Sequence, residues 1–349
     1  MKLGAVFDPR NNALNAWRLT LATGVILWHS WPLTGHTVSS DWISQLGSQV
    51  AVDAFFAISG FLITSSWLRK PHLREFAAAR ALRILPGLWV CLLVTAFIIA
   101  PISVLIRHGS VTALMASGSP FWYVLDNALF YPFYVGIDGT PDRIPWPGVW
   151  NGSIWTLLFE MICYITVAVL GVSGLLNRSK TIPVAFGLSL CLTALVGFPA
   201  FAMSTIPQMI GRFAVMFAAG ALIHQYRDRI PVSWPLVAAC TAVVVLSGLL
   251  PNYRVVGAVP LAYLVIASGA MLKHRSLNLR NDLSYGVYVY AFPVQQLLMV
   301  AGVVLHPVPF FVLAAGLTLP LAALSWFVVE KRAIALKKRV AVTAPHTSL

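Results

Sequence analysis

The chain has 349 residues, of which 58% are hydrophobic and only 10% charged, and it carries a formal net charge of +13. Globular domains hold about 25% charged residues, so a mean hydropathy of +0.80 excludes a soluble single-core protein, which would lack the polar surface to coat itself. At roughly 20 residues per spanning helix, ten spans take about 200 residues and leave about 149 for connections, enough for one polytopic membrane domain and no second globular one.

Apolar runs fall at 13–31, 48–68, 85–106, 150–176, 182–200, 207–225, 232–250, 255–272, 283–304 and 308–329. The pattern predicts an all-α polytopic membrane protein with about ten transmembrane helices. Pro32, Pro86, Pro207, Pro231, Pro251 and Pro307 sit at or near the ends of runs. Pro260, Pro293 and Pro320 lie inside runs and are expected to kink them, which neighbouring helices tolerate in a membrane. The segment 121–136 reads as a loop or as a re-entrant piece, which would move the count to nine or eleven. Cys91, Cys163, Cys191 and Cys240 lie in apolar stretches without CxxC spacing, so neither a disulfide framework nor a cysteine metal site is expected.

The basic residues are distributed unevenly between alternate sides of these runs. Nineteen of the 24 Lys and Arg residues fall on one side: Lys2, Arg10, Arg69, Lys70, Arg74, Arg80, Arg83, Arg178, Lys180, Arg227, Arg229, Lys273, Arg275, Arg280 and the tail residues Lys331, Arg332, Lys337, Lys338 and Arg339. The other side holds Arg107, Arg143 and Arg254, while Arg18 and Arg212 lie within spans. The positive-inside rule then puts both termini in the cytoplasm and favours an even number of helices. Topology accounts for the basicity, and no nucleic acid partner is needed. The first run begins at 13, contains Arg18 and lacks a small-residue cleavage site before Trp31, so it does not read as a cleavable signal. The expected organisation is a cytoplasmic segment 1–12, a transmembrane domain 13–332 and a basic cytoplasmic tail 333–349.

A charge at bilayer depth costs several kcal/mol unless paired or hydrated, so each intramembrane ionisable group is a candidate for function. Arg18 and His29 are eleven residues apart, three turns plus roughly 20°, and therefore project from one helical face about 16 Å apart. An arginine snorkelling inward and a histidine capping the outer end explain the pair equally well. Asp53 opens the second run and matches His29 in depth, where it would hold the second ring nitrogen or simply favour the helix dipole. Ser59 and Gly60 suit close helix packing better than a serine nucleophile. Glu160 lies about ten residues into the fourth run, so its carboxylate is either neutral or paired with a cation such as Arg18 or Arg212. Arg80 and Arg83 share a helical face and form either a two-fork phosphate clamp or a charge patch drawn to anionic headgroups. The aromatics Trp122, Tyr123, Tyr131, Tyr134, Trp146 and Trp150 would stack on a sugar or form an interfacial belt.

These residues together resemble the acyltransferase-3 family of integral membrane acyltransferases. Arg18 and His29 match its Arg-x10-His motif, and Phe55-Phe56-Ala57-Ile58-Ser59-Gly60-Phe61-Leu62 is similar to its Phe-Phe-x-x-Ser-Gly-Phe-Leu. Arg80-Ala81-Leu82-Arg83-Ile84-Leu85-Pro86 resembles Arg-x-x-Arg-Ile-x-Pro, and Trp155-Thr156-Leu157-Leu158-Phe159-Glu160 resembles Trp-Ser-Leu-x-x-Glu. The likeness extends through Leu283-Ser284-Tyr285-Gly286-Val287-Tyr288 to Val328-Val329-Glu330-Lys331. Three positions depart from the family pattern. Tyr290-Ala291-Phe292-Pro293 stands where many members have Trp-His-x-Pro, Asn15 where an Asp often precedes the motif arginine, and Arg332 where a Pro usually follows Glu-Lys.

The resemblance implies an O-acyltransferase in a bacterial inner membrane, without a metal. Its donor would be acyl-CoA, most often acetyl-CoA, arriving from the cytoplasm with its phosphates on Arg80, Arg83 and Arg18. Its acceptor would be a hydroxyl of an envelope glycan, a lipid-linked sugar or a secreted small molecule. His29 would act as general base or become transiently acylated, the base role being preferred, with Asp53 or Glu160 orienting or polarising the ring. A transporter or flippase that makes no bond is the rival class, since kinked helices and buried carboxylates suit it equally.

Overall fold

The computed structural model describes residues 1–128, 130, 135–197 and 205–337. Tyr131, Tyr134 and residues 338–349 of the expected tail, with Lys338 and Arg339, lie outside them. The described chain is all-α. Its main helices are α1 (Leu14–Leu33), α2 (Asp41–Arg69), α3 (Leu73–His108), α4 (Ser119–Ala128), α5 (Thr156–Val172), α6 (Thr181–Val196), α7 (Ile206–Gln225), α8 (Trp234–Ser247), α9 (Arg254–Met271), α10 (Ser284–Val300) and α11 (Pro307–Ala335). Among the described residues, α2, α3, α7, α9 and α11 are long and apolar enough to cross a membrane by length and composition. Each expected apolar run contains a helix.

Three helix boundaries differ from those read in the sequence, each for a local reason. The second run was expected to open at 48 with Asp53 near its start, but α2 begins at Asp41 behind the N-cap Ser40, whose hydroxyl accepts from the Ile43 amide. Gln45 lies outside the expected run and Gln49 at its start, yet both are buried within this helix. The third run was expected to start at 85, beside Pro86, but α3 begins at Leu73 and passes through that proline. Pro86 costs the helix one backbone bond, and nearby the Tyr285 hydroxyl donates to the Ile84 carbonyl at 2.7 Å. The fourth run was expected from 150, but α5 begins at Thr156, so Glu160 lies in its second turn.

The chain divides into two compact units. The first comprises Met1–Gly24, Val38–Pro71 and Phe159–Asp282. Within it α7 is central, packing on α2, α6 and α9, while α8 pairs with α9. Small residues allow α2 and α7 to cross with their backbones in contact. A Cβ on Gly60 would collide with the Phe217 carbonyl oxygen, and one on Gly220 with the Ala57 carbonyl oxygen. Without a hydrophobic drive between helices in lipid, such close approach is a main source of association.

The second unit comprises Val25–Thr37, His72–Leu158 and 283–349. Here α10 packs on α3 and α11, and α3 on α4. One π-helical turn interrupts each of its two long helices, at Thr95–Ile99 in α3 and at Trp326–Glu330 in α11. Such bulges re-aim side chains and occur frequently at functional sites.

Candidate active site

In the first unit, Asp53 is fully buried and ionically saturated. Its Oδ1 accepts from Arg212 Nε at 2.8 Å and its Oδ2 from Arg254 Nε at 2.6 Å. The Tyr253 hydroxyl donates to Oδ2 as well. Gln49 completes the group, its Oε1 accepting from Arg254 Nη2 at 2.6 Å and its backbone carbonyl from Arg212 Nη2 at 3.4 Å. Gln45 fixes the approach of α9 by accepting from the Tyr253 amide at 2.8 Å and donating to the Leu250 carbonyl at 3.0 Å. One carboxylate thus holds α2, α7 and the start of α9 together. Removing one member of such a set leaves an uncompensated buried charge.

Glu160, also in the first unit, accepts at Oε1 from the Tyr164 hydroxyl one turn on and from Ser59 Oγ at 3.4 Å. Ser59 is therefore a partner of the acid. Arg18 forms an ion pair with Asp282, and Asn15 beside it donates to the Leu279 carbonyl at 2.8 Å. An apolar cavity of about 200 Å³ lies between α2, α5, α6 and α7, with Thr64, Phe159, Cys163, Phe213 and Phe217 in its wall.

In the second unit, His29 presents its ring to the edge of Phe292, with centroids 5.2 Å apart and planes at 79°. Phe292 meets Trp146 in the same edge-on manner at 5.8 Å. Gln295 braces the helix around His29. It is fully buried and donates through Nε2 to the Ile26 carbonyl and to Ser30 Oγ, both at 3.0 Å. Its Oε1 is buried without a hydrogen-bond partner among the described residues.

Arg83 is paired with Glu330. Its Nη1 donates to Oε2 at 2.8 Å, and its guanidinium lies 5.4 Å from the Tyr285 ring centroid and 5.5 Å from that of Trp326. Glu330 is 1% exposed and accepts from Ser325 Oγ at 3.0 Å, the π-turn of α11 placing it there. Arg80, one turn earlier on α3, lies 5.9 Å from the Phe76 ring centroid.

Of the residues singled out in the sequence, Asp53 is joined by Arg212, while Arg18, Glu160 and Arg83 each take a partner that the sequence reading did not assign. Three charged partners were missed, Arg254, Asp282 and Glu330, and with them the tyrosines Tyr164 and Tyr253. Arg254 reads as a loop charge because it immediately precedes an apolar run, and nothing local distinguishes a snorkelling arginine from one folded inward. Asp282 likewise borders a run. Glu330 had one usable signal, an acid at the end of an apolar stretch within a motif. Among the described residues, no three His, Cys, Asp or Glu side chains gather as a metal-holding group.

Apolar helices enclosing paired charges, together with a histidine braced from a neighbouring helix, define an integral membrane protein with a chemically equipped polar interior. The chain belongs to the acyltransferase-3 family, a family of membrane acyltransferases, and residues 11–327 match its acyltransferase domain. It is similar to nodulation protein 10 of Rhizobium leguminosarum bv. viciae, 28% identical over 363 aligned residues covering 94% of each chain. It is also similar to an O-acetyl transferase of Shigella phage Sf6, 29% identical over 344 aligned residues covering 93% of this chain and 96% of the relative. No solved structure matches.

Proposed function

We propose that this protein transfers an acetyl group from cytoplasmic acetyl-CoA to a hydroxyl of an envelope glycan, a lipid-linked sugar or a secreted small molecule. The observation that carries the reading is membership of the acyltransferase-3 family over residues 11–327 with His29 braced by Gln295 at Ile26 and Ser30. The Shigella phage Sf6 relative, an O-acetyl transferase, supports acetyl as the group and oxygen as the acceptor atom. In this reading residues 13–332 form a domain of ten spans in a bacterial inner membrane, with segments 1–12 and 333–349 in the cytoplasm.

His29 is the general base. It takes the proton of the acceptor hydroxyl as that oxygen attacks the thioester carbonyl carbon. The C–O bond forms, the C–S bond breaks, and the proton passes from the imidazolium to the departing thiolate, leaving an ester and free CoA. This route needs no acyl-imidazole. Arg80 and Arg18 contact the donor's phosphates, and Arg83 is shared between that task and Glu330. Glu160, held by Tyr164 and Ser59, is the candidate acid for orienting or polarising the base. Asp53 acts as a positioning residue, because Arg212, Arg254 and Tyr253 occupy its oxygens.

The test is transfer of labelled acetyl from acetyl-CoA in membranes containing this chain. Mass spectrometry of glycans, lipids and secreted metabolites should show a product heavier by one acetyl group. Translocation of a glycan or lipid with no covalent change would overturn the reading in favour of a transporter.

A further inference from the structure

We infer that Trp146 is a specificity-determining residue, its ring stacking on the pyranose ring of a sugar acceptor, and that Gln296 is the positioning residue that holds it beside the base. All the residues concerned lie in the second unit. Phe292 bridges His29 and Trp146, edge-on to the first at 5.2 Å and to the second at 5.8 Å. The imidazole and the indole therefore stand two ring contacts apart.

The segment that carries Trp146 is tied to α10. Gln296 Nε2 donates to the Trp146 carbonyl at 2.8 Å and to the Val149 carbonyl at 2.6 Å. Asn151 donates through Nδ2 to the Val289 carbonyl at 2.8 Å. Gly152 closes the contact, since a Cβ there would overlap the Phe292 ring. Gln296 is fully buried, and its Oε1 has no hydrogen-bond partner among the described residues. A buried amide with one unmet oxygen costs about 1–3 kcal/mol, and what it secures here is the position of this loop. Two tryptophans of the loop divide in role. Trp150 is fully buried and donates through Nε1 to Thr140 Oγ1 at 2.9 Å, which makes it a core residue. Trp146 is 37% exposed on the same fixed backbone.

A large aromatic ring left open on a rigid support is suited to receive a ligand, because little ordering is needed when the ligand arrives. The indole face carries the negative pole of the ring quadrupole. A pyranose offers it a face of polarised C–H bonds, while its hydroxyls project from the rim toward a neighbouring base. An acyclic metabolite has no such face. Interfacial belts also use tryptophans that are partly exposed, so the deciding measurements read sugar contact and donor kinetics, not insertion. The inference rests on the acetyl-transfer reading above and narrows its acceptor to a sugar.

Full-length protein in phosphatidylcholine nanodiscs is probed by saturation-transfer NMR with methyl β-D-glucopyranoside, whose ring hydrogens form two flat faces. Trp146→Ala is expected to reduce saturation of those hydrogens about tenfold, and Trp146→Tyr to restore most of it. In donor saturation kinetics on membranes, Trp146→Ala and Gln296→Leu are each expected to lower the limiting rate of acetyl transfer about tenfold, with the KM for acetyl-CoA within about twofold of wild type. Trp146→Ala keeps the backbone carbonyl that Gln296 holds, and it carries the test alone should Gln296→Leu fail to fold. Saturation and limiting rate both equal to wild type in Trp146→Ala assign the ring to the interfacial belt and overturn the inference. An acetylated product without a sugar ring overturns it too, while leaving acetyl transfer standing. Wild-type protein that contacts the glucoside through Trp146 and transfers no acetyl group supports the sugar platform and overturns the proposed function instead.

Discussion

Arg254 donates to Asp53 at 2.6 Å across 201 positions of sequence, and both side chains are essentially sealed from solvent. With Arg212 on the second carboxylate oxygen, two cations share one anion inside a largely apolar bundle. Arg254→Ala is therefore expected to destabilise the first unit by about 3–5 kcal/mol, because it strips a buried carboxylate of half its compensation. Thermal unfolding in detergent would show a large drop in Tm. A melting temperature equal to wild type would mean that Asp53 is satisfied without it.

Replacing His29 by Ala should abolish acetyl transfer while membrane insertion and melting temperature stay at wild-type values. Gln295→Leu should slow transfer by about tenfold to a hundredfold, since it lets α1 shift around the base. Both follow from acetyl-transfer kinetics on matched amounts of inserted protein. Full turnover by the alanine variant would remove His29 from the chemistry.

The Arg83–Glu330 pair separates folding from donor binding. Arg83→Ala should lower stability by about 3–5 kcal/mol, and adding Glu330→Gln should recover much of that loss. Arg80→Ala should raise the apparent KM for acetyl-CoA. A double-mutant cycle on stability checks the first expectation, and donor saturation kinetics the second.

The crossing of α2 and α7 leaves no room for side chains at its centre. Gly220→Val should cost more than about 3 kcal/mol because the obstruction is the Ala57 backbone, which cannot rotate away. Gly187 in α6 meets nothing within 4 Å, so Gly187→Ala should be neutral or stabilising by up to about 1 kcal/mol. Comparing the two variants by denaturant unfolding tests whether close backbone approach holds the unit together.

Much of the architecture could be read from residue order. Apart from α4, which falls where a loop or re-entrant piece was expected, apolar runs separated by prolines and basic loops marked where the main helices lie, because hydropathy and helix length are properties of contiguous segments. The Arg18–His29 spacing was visible for the same reason, being a distance along one helix. The errors arose where polar residues continue a helix beyond its apolar stretch. Gln45 fell outside the expected run, and Gln49 and Asp53 at its entrance, yet all three are buried within α2.

What composition and spacing established was a helical membrane protein with a handful of charges at unusual depth, together with motifs naming an acyltransferase family. Only the folded chain decided which charge answers which. Asp53 went to Arg212 and Arg254, Arg18 to Asp282, and Arg83 to Glu330. The physical reason is that a buried charge is neutralised by whatever packs within a few ångströms of it. That neighbour is chosen by helix crossings such as Gly60 on Phe217 and Gly220 on Ala57, which bring together residues far apart in the chain.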